Sequence, residues 1–243
     1  MTTYHPIPEN VEKVAEFKGD PILHPIYQCK KCGHSISPKF ANFTGICGMC
    51  HEGLNNIGEY ADRIYSITYY CSEFANHSLT NAIQDDVKEG YYAEEMAEII
   101  EWGINNFNDL ESADYITPPP RGADAADVNH MKKIGEIVSS NVDIPIKNPL
   151  RKREAYTSQK EIDDAKQRLE NIKNNIESVD SFDDNPFIVV IDDVATSTGT
   201  LKYSAKSLIN SGADRVVGLA ITRSEGIEDL VKAKVYERGN NGD

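Results

Sequence analysis

The chain has 243 residues, 40% hydrophobic and 26% charged, which suits one ordinary globular domain with a small appended module and excludes wholesale disorder. Its formal net charge of -14 sets a field that repels a phosphate backbone, so the acidity serves solubility and nucleic-acid binding would need a local basic patch. No run of about 18 apolar residues is present to span a bilayer, and Met1–Asn10 lacks the basic start and apolar stretch of a secretory signal, so a soluble cytoplasmic protein is expected.

Residues 1–25 carry Pro6, Pro8, Pro21 and Pro25 with little periodicity and read as an irregular lead-in. Cys29-Lys-Lys-Cys32 and Cys47-Gly-Met-Cys50 then form two CxxC pairs separated by fourteen residues, with Gly33, Gly45, Gly48 and Gly53 supplying tight turns. Each pair can present two thiolates to one tetrahedral ion, which points to structural zinc, with a four-cysteine iron site as the other inorganic option. Four thiolates leave no open coordination position, so the site is not catalytic. His34 and His51 flank the knuckles, where either could replace a cysteine as ligand, though supporting or solvent roles are favoured. Cys71, the fifth cysteine, reads as a small buried apolar residue. The odd cysteine count favours a reducing compartment over disulfides.

From Tyr60 the pattern changes. Arg63–Tyr70 is rich in β-branched and aromatic residues and predicts a strand. Met96, Ala97, Ile99, Ile100 and Ile104 give Ala93–Phe107 helical spacing. Ala113–Thr117 is a short strand stopped by Pro118-Pro119-Pro120, and Val128–Val138 a helix with Met131, Ile134, Ile137 and Val138 on one face. Residues 147–185 are highly charged, and Glu161–Val179 can form a solvated helix. Phe187–Ile191 is a continuous apolar run, as expected of a strand buried on both faces. A helix at Leu201–Ser211 and a buried strand at Arg215–Thr222 follow. Strands alternating with helices predict an α/β fold with a mostly parallel sheet flanked by helices. The expected division is a lead-in and zinc module over 1–58, the α/β domain over 59–238, and a disordered tail over 239–243.

The chemistry gathers after Ile191. Asp192 and Asp193 are followed by Thr196, Ser197, Thr198, Gly199 and Thr200, and then by a helix. In open parallel sheets ligands bind at the carboxyl ends of strands. A hydroxyl-rich turn before a helix offers N–H groups, side-chain donors and the helix dipole to a phosphate. Two carboxylates beside it can accept hydrogen bonds from a sugar diol. Helix capping explains one or two such hydroxyl residues, not this cluster with an acidic pair.

Ile188-Val-Val-Ile-Asp-Asp-Val-Ala-Thr-Ser-Thr-Gly-Thr200 resembles the binding motif for phosphoribosyl pyrophosphate (PRPP) of type I phosphoribosyltransferases. The resemblance implies that Asp192 and Asp193 take the ribose hydroxyls and that Ala195, Thr196, Ser197, Thr198, Gly199 and Thr200 surround the 5-phosphate. The family places glycine where this chain has Thr198. Asp114–Gly122 resembles the family's pyrophosphate loop, with Pro120, Arg121 and Gly122 as its binding residues and Arg121 bringing charge to the diphosphate; a rigid turn set by three prolines is the competing reading. Arg151-Lys-Arg153, Thr157, Gln159, Ile162, Arg168 and Asn171 resemble a segment of ComF-like, competence-associated phosphoribosyltransferases, which also begin with a four-cysteine module. Asn129-His130 stands where that family has Asn-Gln, and Ala126-Asp127 where it has Arg-Gly. The implied lid is Arg151, Arg153, Gln159 and Arg168, with Lys152 beside them; a solvated charged segment is the alternative. Mg²⁺ is implied with PRPP.

The expected function is PRPP-dependent transfer to a nitrogen nucleophile, with catalytic roles for Asp192, Asp193 and Arg121 and an unidentified small-molecule acceptor. The alternative is a non-catalytic PRPP-binding regulator or a nucleic-acid-associated protein, for which Lys30, Lys31 and Lys39 would supply a local patch. PRPP synthesis would need an ATP site, and no Walker-type loop is present. An oligomer is compatible with the sequence.

Overall fold

The computed structural model describes residues 11–18, 20–25, 28–34, 36, 45–51, 61–70, 78–120, 129–153, 172–173, 175–196 and 198–224. In chain order, β1 (Val11–Phe17) and β2 (Asp20–Pro25) are followed by a single helical turn, α1 (Gly48–His51), and by β3 (Arg63–Tyr70). Next come α2 (Ser78–Asn81), continued by a π turn and a 3₁₀ turn to Glu89, and α3 (Ala93–Asn106). The remaining elements are β4 (Tyr115–Thr117), α4 (His130–Val142), β5 (Leu150–Lys152), β6 (Ile176–Ser178), β7 (Phe187–Ala195), α5 (Gly199–Asn210) and β8 (Arg215–Ser224).

Four strands form one parallel sheet in the order β3-β8-β7-β4. Beyond β4, Ile146 makes a further parallel bridge to Ile116. The chain therefore leaves β4 through α4 toward the outer edge, but leaves β7 through α5 in the opposite direction, to β8. The strand order reverses between β4 and β7, and at such a reversal the loops diverge and leave a crevice at the carboxyl ends of the two strands.

Side-chain alternation along the strands sorts the core into two layers. Val189 and Ile191 of β7 and Val217, Leu219 and Ile221 of β8 pack with Met96, Ile100, Met131 and Ile134 of α3 and α4. Ile188, Val190, Val216 and Ala220 pack with Leu201, Ala205 and Leu208 of α5 on the other face, together with the four cysteines. Truncating one of these fully buried isoleucines to alanine costs about 2–5 kcal/mol. Close helix approach depends on Gly135, where an added Cβ would lie 2.8 Å from Ile146 Cδ1 and 3.2 Å from Ile191 Cδ1.

The mostly parallel, helix-flanked sheet matches the expectation, but several local readings change. Residues 11–25 are not irregular: β1 and β2 form an antiparallel hairpin, with Phe17 and Ile22 buried in the main core. Both strands of a two-stranded ribbon have an open edge, where proline's missing donor is tolerated. Strand β7 runs four residues past Ile191, so Asp192 and Asp193 lie within it. Helix α4 extends to Val142, beyond the expected end at Val138. The expected helix ending at Val179 instead has β6 at its end, paired antiparallel with β5; most of Glu161–Val179 and the tail 239–243 lie outside the described residues. Among the described residues, no helix is long and apolar enough to cross a membrane.

Candidate functional site

Asp192 and Asp193 are neighbours on one strand, so they point to opposite faces of the sheet. Each meets a different layer. Asp193 turns to the α4 side, where its Oδ2 lies 3.1 Å from His130 Nε2 and its Oδ1 accepts the Val194 N–H at 2.7 Å. Its backbone carbonyl accepts the Thr222 hydroxyl at 3.2 Å, tying the site to β8. Asp192 Oδ1 accepts the Asp193 N–H at 3.1 Å. Burial, then repulsion from Asp193, pushes the Asp192 carboxyl well above its ordinary range, while Lys152 opposes the rise. Burial acts in the same direction on Asp193, but the hydrogen bond and charge of His130, with Lys88 and the Val194 N–H, hold it below the ordinary range. Two adjacent carboxyls with opposed shifts divide into an ionised acceptor and a group that holds its proton more tightly.

Thr198 is the first structural signature of the loop that follows. It is buried at 3% exposure and stands at φ 60, ψ 6, the left-handed region, immediately before α5. A β-branched residue is strained there and glycine is not. The position is the one where the resembled motif carries glycine, and its backbone has the conformation that glycine favours. An ordinary N-cap has extended backbone and a side-chain cap bond; Thr198 has neither. Ala195 and Gly199 are buried and Thr196 is exposed, while Ser197 lies outside the described residues.

The neighbouring strand contributes Thr117 and Pro120. Thr117 ends β4, is fully buried, and its hydroxyl has no partner among the described residues. Pro120 is buried, and Arg121 and Gly122 lie outside the described residues. The two loops singled out in the sequence thus begin at the carboxyl ends of adjacent parallel strands, at the point where the strand order reverses.

The basic segment divides by strand alternation. Arg151 Nε and Arg153 Nε clasp the two oxygens of Glu177 at 2.6 and 2.7 Å across the β5–β6 ribbon, and these contacts lower the Glu177 pKa, Arg151 foremost. Lys152, on the other side of β5, is the cation whose charge reaches Asp192. Lys147 sits 3.7 Å over the Tyr115 ring. Much of the basic cluster at 147–153 is therefore engaged within the protein. Gln159 and Arg168 lie outside the described residues, as do Thr157, Ile162 and Asn171. Sequence reasoning assigned no role to His130 or Lys88, which reach Asp193 from α4 and the 3₁₀ turn; 63 residues separate His130 from Asp193, and no local pattern encodes that contact.

The four cysteines converge. Their sulfurs all lie within 4.8 Å of one another, with Cys32 and Cys47 at 3.6 Å. A tetrahedral ion with thiolate bonds of about 2.3 Å places its ligands roughly 3.8 Å apart, so the donor set fits zinc. The Cys47 N–H points at Cys29 Sγ at 3.3 Å, and Lys30 and Gly45 join the two knuckles by a backbone bond of 2.7 Å. Hydrogen bonding among the sulfurs lowers Cys29 and raises Cys32, while burial followed by the Cys29 charge pushes Cys50 up to about 12. Such a buried group resists full ionisation without a cation. His34 and His51 are not part of the cluster, and Cys71 lies outside the described residues. The module rests on the sheet edge: Gln28 pairs its side-chain amide with the Ser66 backbone of β3, and the Ile64 N–H donates to Lys31. Arg223, at the end of β8, donates to the Cys32 carbonyl at 3.4 Å.

No family model and no curated protein matches the chain. Solved structures to which it is similar include several phosphoribosyltransferases and a PRPP amidotransferase. A glutamine phosphoribosylpyrophosphate amidotransferase from B. subtilis is 16% identical at TM-score 0.33, with 52% of this chain and 25% of that one covered. An adenine phosphoribosyl transferase from Trypanosoma brucei, in complex with AMP, pyrophosphate and ribose-5-phosphate, is 14% identical at TM-score 0.36, covering 65% and 75%. The adenine phosphoribosyltransferase of Leishmania tarentolae is 14% identical at TM-score 0.34, covering 69% and 94%. The chain spans about a quarter to a third of the largest of these proteins, among them the UMP synthase of Leishmania donovani at 32%.

Proposed function

We propose that the protein binds PRPP with Mg²⁺ and transfers its phosphoribosyl group to a nitrogen nucleophile, releasing pyrophosphate. The observation that carries this reading is the placement of the acidic pair and the Thr196–Thr200 loop at the strand-order reversal, beside the end of β4. Asp193 on the α4 side and Asp192 on the α5 side accept hydrogen bonds from the ribose hydroxyls, with the sugar set across the end of β7. The loop and the start of α5 hold the 5-phosphate with N–H groups and the positive helix end. Pro120, Arg121 and Gly122 carry the pyrophosphate, and Gln159 and Arg168 close over it, joined by Arg151 and Arg153 once these exchange Glu177 for the ligand, which limits attack by water. As the C1–O bond breaks its electron pair leaves with pyrophosphate, and as the C1–N bond forms the attacking nitrogen gives its proton to solvent or to the departing pyrophosphate. Mg²⁺ accompanying PRPP would supply charge neutralisation at the leaving group. The protein's contribution is position and electrostatics.

We assign residues 1–58 to a lead-in and metal module, the lead-in hairpin packing Phe17 and Ile22 into the neighbouring core, and 59–238 to the transferase domain, and we place the chain in the ComF-like branch on its four-cysteine module and the Arg151–Asn171 segment. The test is pyrophosphate release from PRPP and Mg²⁺ by zinc-loaded protein across a panel of nitrogenous bases and amines, with D192N/D193N as control. Release that the double substitution abolishes is the expected result. PRPP binding with no turnover on any acceptor would overturn the transferase assignment in favour of a PRPP-binding regulator. Salt-dependent binding to DNA or RNA without PRPP binding would overturn both.

A further inference from the structure

His130 opens α4, a helix fixed by Asn129, whose side chain accepts the Lys132 N–H at 3.0 Å, and by the buried Met131 and Ile134. The imidazole is therefore held on a rigid element. Its Nε2 is 3.1 Å from Asp193 Oδ2, and the two side chains are only 22% and 14% exposed. A ring nitrogen this close to a carboxylate must carry its proton, since a bare lone pair would face the oxygen's own. The contact therefore selects an Nε2–H donor. The Val194 N–H takes the other oxygen at 2.7 Å. Two donors from two elements thus fix the plane of the Asp193 carboxylate and, among the described residues, leave its remaining lone pairs for a ligand, since a carboxylate offers about four acceptor sites.

We propose that His130 is a positioning residue for the sugar subsite: its Nε2–H holds the Asp193 carboxylate in the orientation that accepts a ribose hydroxyl. This inference rests on the PRPP reading. His130 acts on ligand only through Asp193, so its effect is confined to ligands that carry the sugar. The low Asp193 pKa accords with this, because the donor also keeps the acceptor ionised near neutrality.

The experiment measures equilibrium binding of PRPP with Mg²⁺, ribose 5-phosphate, and Mg²⁺-pyrophosphate, which lacks the sugar. The full zinc-loaded chain is compared with H130A and with H130Q, which keeps an N–H donor at similar reach. H130A is expected to weaken PRPP and ribose 5-phosphate by about 10-fold or more, with pyrophosphate affinity changed by less than about twofold. H130Q should recover most of the loss. Four results overturn the proposal: unchanged sugar binding in H130A; tighter binding in H130A, which would make His130 a competitor of the ribose; equal losses for pyrophosphate, which would make it merely structural; or an H130Q as weak as H130A. Failure of the unaltered protein to bind PRPP is a separate outcome that removes the functional reading itself.

Discussion

Replacing Thr198 tests the conformation of the loop before α5 without any ligand. Thr198 is buried and left-handed, at φ 60, and that conformation costs a residue with a Cβ about 1–2 kcal/mol. T198A and T198G both delete the hydroxyl and methyl groups, so they differ only in the Cβ. Glycine relieves the strain but adds freedom to the unfolded chain, worth about 0.4–1 kcal/mol. The difference leaves T198G more stable than T198A by about 0.5–1 kcal/mol, or roughly 1–4 °C in melting temperature for a chain of this size. Glycine is also the better N-cap of the two, so a second pair separates the causes. Asparagine and serine cap helices about equally, but asparagine tolerates the left-handed region. T198N should therefore exceed T198S in urea and thermal denaturation. A T198A as stable as T198G, with T198S matching T198N, would refute the left-handed assignment and the glycine-like geometry of the loop.

D192N should raise stability at neutral pH by about 1–2 kcal/mol, because it replaces a carboxyl whose ionisation is opposed by burial and by Asp193, while abolishing PRPP affinity. The sign follows from its raised pKa: the Asp192 contribution is fully present below the unfolded carboxylate pKa of about 4 and is lost as pH rises through the folded value. The advantage of D192N in denaturant melts should accordingly grow from pH 4 upward, and a pH-independent difference would contradict it. Asp193 has the opposite sign. Its depressed pKa gives stability that is present above about pH 4 and lost as pH falls below it; D193N should reduce that acid-limb slope, and an unchanged slope would count against the His130 contact. Elemental analysis should find a single equivalent of zinc per chain. Chelation or C32S should lower the melting temperature, since binding energy in a closed thiolate site is folding energy; full stability without metal would contradict the assignment.

The sequence carried what is local. The CxxC spacing announced a thiolate cluster because two ligands three apart share one turn. The apolar run 187–191, the acidic pair and the hydroxyl loop are contiguous, so their adjacency survives folding. What depended on distance was hidden. The contact of His130 with Asp193 follows from strand order and from the face that α4 covers, neither of which is written beside either residue. The continuation of β7 through Asp192 and Asp193 was missed because charged residues read as a strand end, whereas here Ala220 and Thr222 of β8 carry the pairing onward. The β1–β2 hairpin was masked by its prolines, although Phe17 and Ile22 need the core that it reaches.

The central claim meets its most direct test in calorimetry with PRPP and Mg²⁺, comparing the zinc-loaded protein with D192N/D193N. Binding by the unaltered chain that the double substitution abolishes is the predicted result. Absence of binding by well-folded protein, or equal binding by the double variant, would contradict the assignment of this crevice to PRPP.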